Sequence, residues 1–366
     1  MSPTPLPPSL ETSIGISVDN NLRSAYSLVL DAEYAAASAQ NEEAVMHARI
    51  VGFLMIAFHE FRATLGDQPI SRVSTEVRSS SHDLGTVIYD LGLRYRENLL
   101  RAFRQAKGPP LPPSSECPSR SPVMTLEDML RDALDGSGKD YRSAKKRALA
   151  RDGFRCMLTG EYDISSIDRS PAICSMQALD ASGAGNTNCC HVLSESTLQD
   201  ADPGNPDHDR KRNYAASVLS VLHSFGLGTF VDEIVKRSGI HHLSDILTMV
   251  NYLHVHFDNL KLWLEGTNTP NEYKICVTKE YLIARKGLER TISFQAQVPG
   301  RDDLPLPDPR LLAIHAACAR TLHMSGAAEY IDKCDWDAED IQVLAEDGSS
   351  HAILLEKINR IAVSSS

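Results

Sequence analysis

Histidine carries most of the chemical information in this chain. His191 ends a strand-like run, whereas His254 and His256 lie in Leu253-His-Val-His-Phe-Asp258 on a stretch with helical character. A neutral, unliganded imidazole can take a proton from water. A second imidazole can hold a divalent metal on a scissile phosphate, where the cation offsets the charge that develops on the oxygens. His254 and Asp258 are four residues apart, so on a helix they share a face and can approach one metal, although Asp258 could equally pair locally. His256 points away from that face. His241 and His242 are adjacent, and adjacent side chains diverge too far to make a good chelate. Thirteen histidines make some pairs coincidental, so the order of the surrounding residues has to decide between structural and catalytic roles.

The elements that must position these groups can be outlined from periodicity. Short strands are expected over 155–160, 188–193, 245–249, 260–264 and 272–278, with a helix over 250–258. A helix should start at Thr125, where Thr-Leu-Glu-Asp offers a cap, and residues 211–238 also read as helical. Residues 309–331 read as one long alanine-rich helix. Nearer the start, Ile50, Phe53, Leu54, Ala57, Phe58, Phe61 and Leu65 fall at three- and four-residue steps. Leu84, Ile88, Leu91, Tyr95, Leu99 and Phe103 do the same, with Arg94, Arg96, Arg101 and Arg104 mostly on other faces. Both patterns are amphipathic helices packing on each other.

Length and composition exclude several classes. The chain has 366 residues, 42% hydrophobic and 23% charged, which rules out collagen-like, coiled-coil and wholly disordered chains. With 37 Lys and Arg against 48 Asp and Glu, the net charge is −11 and no global positive field attracts a polyanion. Any nucleic-acid contact must therefore be local. Residues 139–155 hold seven Lys or Arg and two Asp, a local +5 on a helix that could cradle phosphates or simply face solvent. Eight cysteines without a C-x-x-C pair support neither a disulfide scaffold nor a zinc knuckle. The longest apolar run, residues 50–58, is far short of the ~20 residues of a membrane span. The expectation is a soluble protein with reduced thiols, inside the cell in nucleus or cytoplasm, without a membrane partner.

Read in order, these strings resemble a known family. Lys145-Lys-Arg-Ala-Leu-Ala-Arg151-Asp-Gly-Phe-Arg155-Cys-Met-Leu-Thr-Gly160 resembles the opening of HNH endonuclease domains, a basic helix followed by Arg-Asp-x-x-Arg-Cys-x-x-Thr-Gly. Cys190-His191-Val192 resembles the family's Ala-His-Ile. Residues 245–258, Asp-Ile-Leu-Thr-Met-Val-Asn-Tyr-Leu-His-Val-His-Phe-Asp, resemble Asn-x-Leu-x-Leu-x-x-x-Leu-His-x-x-Phe-Asp. The C-terminal runs around 309–318 and 325–330 are similar to those of HNH-domain proteins of basidiomycete fungi, and the likeness covers about residues 140–331.

The resemblance implies an α+β chain with a ββα-metal finger embedded in helices. Its divisions would be a disordered tail at 1–20, a helical module at 21–107, a Pro-rich linker at 108–123, the nuclease-like domain at 124–335 and an extension at 336–366. The implied activity is divalent-metal-dependent hydrolysis of nucleic-acid phosphodiesters, DNA ahead of RNA, with Mg²⁺ as the expected metal. His191 would be the general base, and His254 with Asp258 would hold the metal. Asp245 would orient the base or ligate the metal. Lys145, Lys146, Arg147, Arg151 and Arg155 would grip the backbone. Two departures stand out: Asp245 replaces the family's asparagine, and Cys190 precedes the base, where a thiol favours soft metals over Mg²⁺. The alternative is a catalytically silent scaffold that binds nucleic acid or protein.

Overall fold

The computed structural model describes residues 3–11, 19–79, 84–104, 123–135, 140–194, 197, 208–234, 241–286, 288–297 and 304–340. Of the expected linker at 108–123 and extension at 336–366, residues 108–122 and 341–366 lie outside the described residues. In chain order the main elements are α1 (Asn20–Ser38), α2 (Glu42–Glu60), α3 (Gln68–Arg78), α4 (Leu84–Tyr95), α5 (Leu126–Asp135) and α6 (Tyr141–Arg151). Next come β1 (Tyr162–Asp163), α7 (Ile164–Arg169), α8 (Pro171–Asp180), β2 (Ala184–Gly185), β3 (Thr187–His191) and α9 (His208–Leu222). They are followed by β4 (Ile246–Val250), α10 (Asn251–Asp258), β5 (Leu262–Gly266), β6 (Glu272–Val277) and β7 (Thr291–Ser293). Two helices close the described chain, α11 (Pro309–Ser325) and α12 (Ala327–Asp340). The protein is α+β, mostly helical, with three small sheets among the described residues.

The chain divides into two compact units that do not follow its linear order. One gathers residues 1–104, 196–231 and 313–366; the other gathers 105–195 and 232–312. The single nuclease-like block expected over 124–335 is therefore cut: α9 and most of α11 belong with the N-terminal helices.

In the helical unit, Asp19 caps α1 by accepting from the backbone N–H of Asn21 and Leu22, and Asn41 caps α2 through Ala44. Ile50, Phe53, Leu54, Ala57 and Phe58 are buried, as the periodicity requires, together with Ile88, Leu91, Tyr95, Leu99 and Phe103. Gly92 lets α4 approach α2 closely, since a Cβ there would stand 2.3 Å from the carbonyl oxygen of His47. Arg96 departs from the amphipathic reading. It is fully buried, 2.8 Å from Glu97 and 3.4 Å from Glu43, with its guanidinium over the Tyr330 ring.

The described part of the expected N-terminal tail is ordered by burial. Leu6 and Leu10 lie in the core, the Leu6 N–H donates to Glu33, and Tyr26 donates to the Pro7 carbonyl at 2.8 Å. Four prolines lower the entropy lost on fixing this segment. The expected 309–331 helix is two helices, because Gly326 adopts φ +88° between them. Among the described residues one helical stretch, Arg212–Glu233, is by length and composition apolar enough to cross a membrane. Its Val218, Leu222, Phe225 and Phe230 are buried within the protein.

In the second unit, β3 and β4 pair antiparallel, with Cys190 opposite Leu247 and His191 opposite Ile246, and α10 follows β4 directly. The β5–β6–β7 meander comes after it. Residues 155–160 are not the expected strand. They form a turn, pinned by one bridge between Arg155 and Tyr162, and the Met157 N–H donates to the Thr248 carbonyl at 2.9 Å. The turn thus braces β4. Asp163 does similar work for β3: its buried carboxylate caps α7 through Ser166 and accepts from the Thr187 hydroxyl at 2.7 Å.

Candidate metal centre

Alternation along β3 sends Cys190 and His191 to opposite faces. The Cys190 thiol turns toward α10, where Sγ lies 3.9 Å from Asp258 Oδ1. Within α10 the four-residue step places His254 Nε2 3.2 Å from Asp258 Oδ2. One donor atom from each of Cys190, His254 and Asp258 lies within 4.8 Å of the others. Donors bound tetrahedrally at 2.0–2.3 Å stand about 3.3–3.8 Å apart, so small side-chain adjustments suffice for a shared cation. Burial pushes the Cys190 thiol well above its ordinary pKa, and the Asp258 charge adds to the shift. Binding a cation there would have to displace that proton.

His191 is buried, and its Nε2 lies 3.2 Å from Nδ1 of His241, with ring centroids 5.3 Å apart. One of these nitrogens must donate to the other, so the two rings share a proton. Burial pushes His191 down to about 3, with further lowering from His241 and His254, which keeps the ring neutral. His241 in turn meets the Tyr141 ring edge-on. Its role was not legible in the sequence, where it stood beside His242 as a poor chelating pair. The partner it needed is 50 residues away.

Asp245 is fully buried one position before β4. Its Oδ1 accepts the Leu193 N–H at 2.9 Å, and its backbone carbonyl accepts the Val192 N–H at 2.7 Å, fixing the chain just past His191. Oδ2 has no hydrogen-bond partner among the described residues. Burial pushes this carboxyl well up, against the lowering by the Leu193 and Val192 N–H groups, and favours the neutral acid. Asp245 therefore anchors the loop just past His191 and is not among the three residues whose donor atoms converge.

The basic stretch has a different fate. Arg151 is completely buried: it donates to the carbonyls of Leu243, Ile246 and Pro305 at 2.9–3.0 Å and pairs with Asp152 at 2.7 Å. Phosphate contact by Arg151 is ruled out by this burial. Arg155 pairs with Asp180 and stacks over Tyr162, Lys146 pairs with Asp132 at 2.9 Å, and Lys145 donates to the Thr187 carbonyl at 2.6 Å. Arg147 is half-buried on the same helix. Of the expected phosphate grip, Arg151 and Lys145 brace the chain at β3 and β4, while Lys146 and Arg155 make part-exposed pairs with carboxylates. No family model, curated protein or solved structure matches the chain.

Proposed function

We propose that the β3–β4–α10 segment is an HNH-like ββα-metal finger that hydrolyses nucleic-acid phosphodiester bonds, with DNA as the first candidate substrate. The observation that carries the reading is the convergence of Cys190, His254 and Asp258 one strand position from the neutral imidazole of His191. His191 would accept the proton of the attacking water as its oxygen bonds to phosphorus and the ester oxygen departs. His241 would hold the His191 ring in register, and Asp245 would hold the chain behind it. A divalent cation on His254, Asp258 and Cys190 would supply neutralisation of charge on the phosphate oxygens. One thiol, one imidazole and one carboxylate suit Zn²⁺ better than the expected Mg²⁺, which takes oxygen donors and retains its waters.

One set of observations favours a second reading, a metal-binding scaffold without catalysis. His191 is buried and a weak base at about 3, and the basic side chains beside it are engaged internally. Plasmid cleavage with Zn²⁺, Mg²⁺, Mn²⁺ or EDTA, beside His191→Ala and His254→Ala, separates the two. Metal-dependent nicking lost by at least 100-fold in both variants is expected for the nuclease. Stoichiometric Zn²⁺ binding that requires His254, without nicking under any metal, establishes the scaffold instead.

A further inference from the structure

One pentapeptide occurs twice in the chain. Pro-Leu-Pro-Pro-Ser stands at residues 5–9 and again at residues 110–114, in the Pro-rich stretch that follows the N-terminal helices. A proline fixes its own φ and keeps the residue before it extended. Residues 3–8 are therefore preset toward the polyproline II form and lose little entropy when held.

The first copy lies in a groove of the helical unit formed by α1, α2 and the turn between α11 and α12. Leu6 is only 6% exposed and fills the space that Gly52 leaves on α2, where a Cβ would stand 2.5 Å from Leu6 Cδ2. The Leu6 N–H donates to the two Glu33 oxygens at 3.3 and 3.2 Å, and Arg49 holds that carboxylate at 2.5 Å. Tyr26 donates to the Pro7 carbonyl at 2.8 Å. At the edge of the groove the Thr4 N–H donates to the Met324 carbonyl at 3.0 Å, and Pro3 packs beside Gly326.

The second copy carries every group that makes the central contacts. Aligned on the pentapeptide, Leu111 supplies the same side chain and N–H, and Pro112 the same carbonyl. The flanks differ. Pro109 stands in place of Thr4 and has no N–H for Met324, and Ser115 stands in place of the buried Leu10. Residues 5–9 are therefore the stronger occupant and residues 110–114 the weaker. Reach favours the same chain. Arg104 belongs to this unit and pairs with Asp332 on α12, about 9 Å along the helix from Gly326 at ~1.5 Å per residue. The chain from Arg104 to Pro110 can span about 20 Å. A third Pro-Leu-Pro, at residues 305–307, is committed elsewhere, since the Pro305 carbonyl accepts from Arg151.

We propose that this groove is a docking site for Pro-Leu-Pro-Pro-Ser, and that residues 110–114 of the same chain occupy it when residues 5–9 leave. Fluorescence anisotropy with a labelled synthetic peptide of residues 108–116 tests the assignment on the full chain. Leu6→Asp empties the groove, and adding Leu111→Asp removes the second occupant. The peptide should bind the double variant saturably and Leu6→Asp alone about 5- to 10-fold more weakly. Wild type should bind it more weakly still, because a tethered segment competes at high effective concentration.

An unlabelled peptide of residues 3–11 should displace the probe. Tyr26→Phe in the double variant removes one hydrogen bond and should weaken binding about 3- to 5-fold. Leu6→Ala takes the place of Leu6→Asp if the charged variant does not fold. Absence of saturable binding to the double variant overturns the proposal, as does binding indifferent to Tyr26→Phe. Equal affinity for Leu6→Asp and the double variant overturns it too, because residues 110–114 then do not reach the groove. A Leu6→Asp dimer in sedimentation that Leu111→Asp dissolves would overturn the same-chain assignment in favour of a second copy.

Discussion

His254 holds its imidazole against Asp258 near a buried thiol, whereas Arg151 of the same unit turns every donor inward, onto three carbonyls and Asp152. The two regions are neighbours through β4, which begins at one of the Arg151 carbonyl partners and runs straight into α10. One region offers unspent coordinating atoms. The other satisfies the backbone carbonyls of Leu243, Ile246 and Pro305. Clustered charge therefore identifies a site only when the opposite charges and carbonyls of the fold lie elsewhere. Along 145–155 they lie close by.

The sharpest way to break this comparison is to remove the brace. Arg151→Met leaves the Leu243, Ile246 and Pro305 carbonyls unpaired and Asp152 buried without its partner, so about 3–5 kcal/mol of stability should be lost in urea denaturation. Loss below 1 kcal/mol would show that Arg151 is not the brace that holds β4. By contrast, Cys190→Ser should lower Zn²⁺ affinity about 10- to 100-fold in competition with a chromogenic chelator, with little effect on Mg²⁺. Equal affinity in the two proteins would remove the thiol from the ligand set.

A third variant bears on the loop that joins the regions. The folded pKa of Asp245 is raised, so its contribution to stability is fully present below the unfolded value near 4 and is lost as pH rises toward the folded value. Asp245→Asn should be near neutral in stability at pH 4 and increasingly stabilising up to pH 8. Parallel stability curves across that range would show that the carboxyl is not held neutral. The smallest effect belongs to Lys146→Ala, which removes a partly exposed pair with Asp132 and should cost less than 1 kcal/mol. A large loss there would mean that the surface pairs, and not Arg151, hold the segment.

Much of the fold was legible before any coordinates. The apolar steps in 50–65 and 84–103 mark the helices of the first core, and Thr125 does cap α5 by accepting the Asp128 N–H at 3.1 Å. The strands at β3 and β4 and the helix α10 fall within a residue or two of where alternation and periodicity place them. Residues 155–160 misled because a short apolar run with a terminal glycine fits a strand and a bracing turn equally well. α1 and α3 are not among the helices expected from the sequence.

What the sequence determined by itself was local: which segments are helix or strand, that His254 and Asp258 share a helical face, and that His191 ends a strand. Periodicity and side-chain chemistry act over a few residues, so those conclusions need no fold. Tertiary structure alone decided the rest. It brought Cys190 to α10 and His241 to His191, raised the Asp245 pKa by burial, and turned Arg151 and Arg96 into the interior. Each outcome depends on desolvation and on partners tens or hundreds of residues away, quantities that spacing along the chain does not carry.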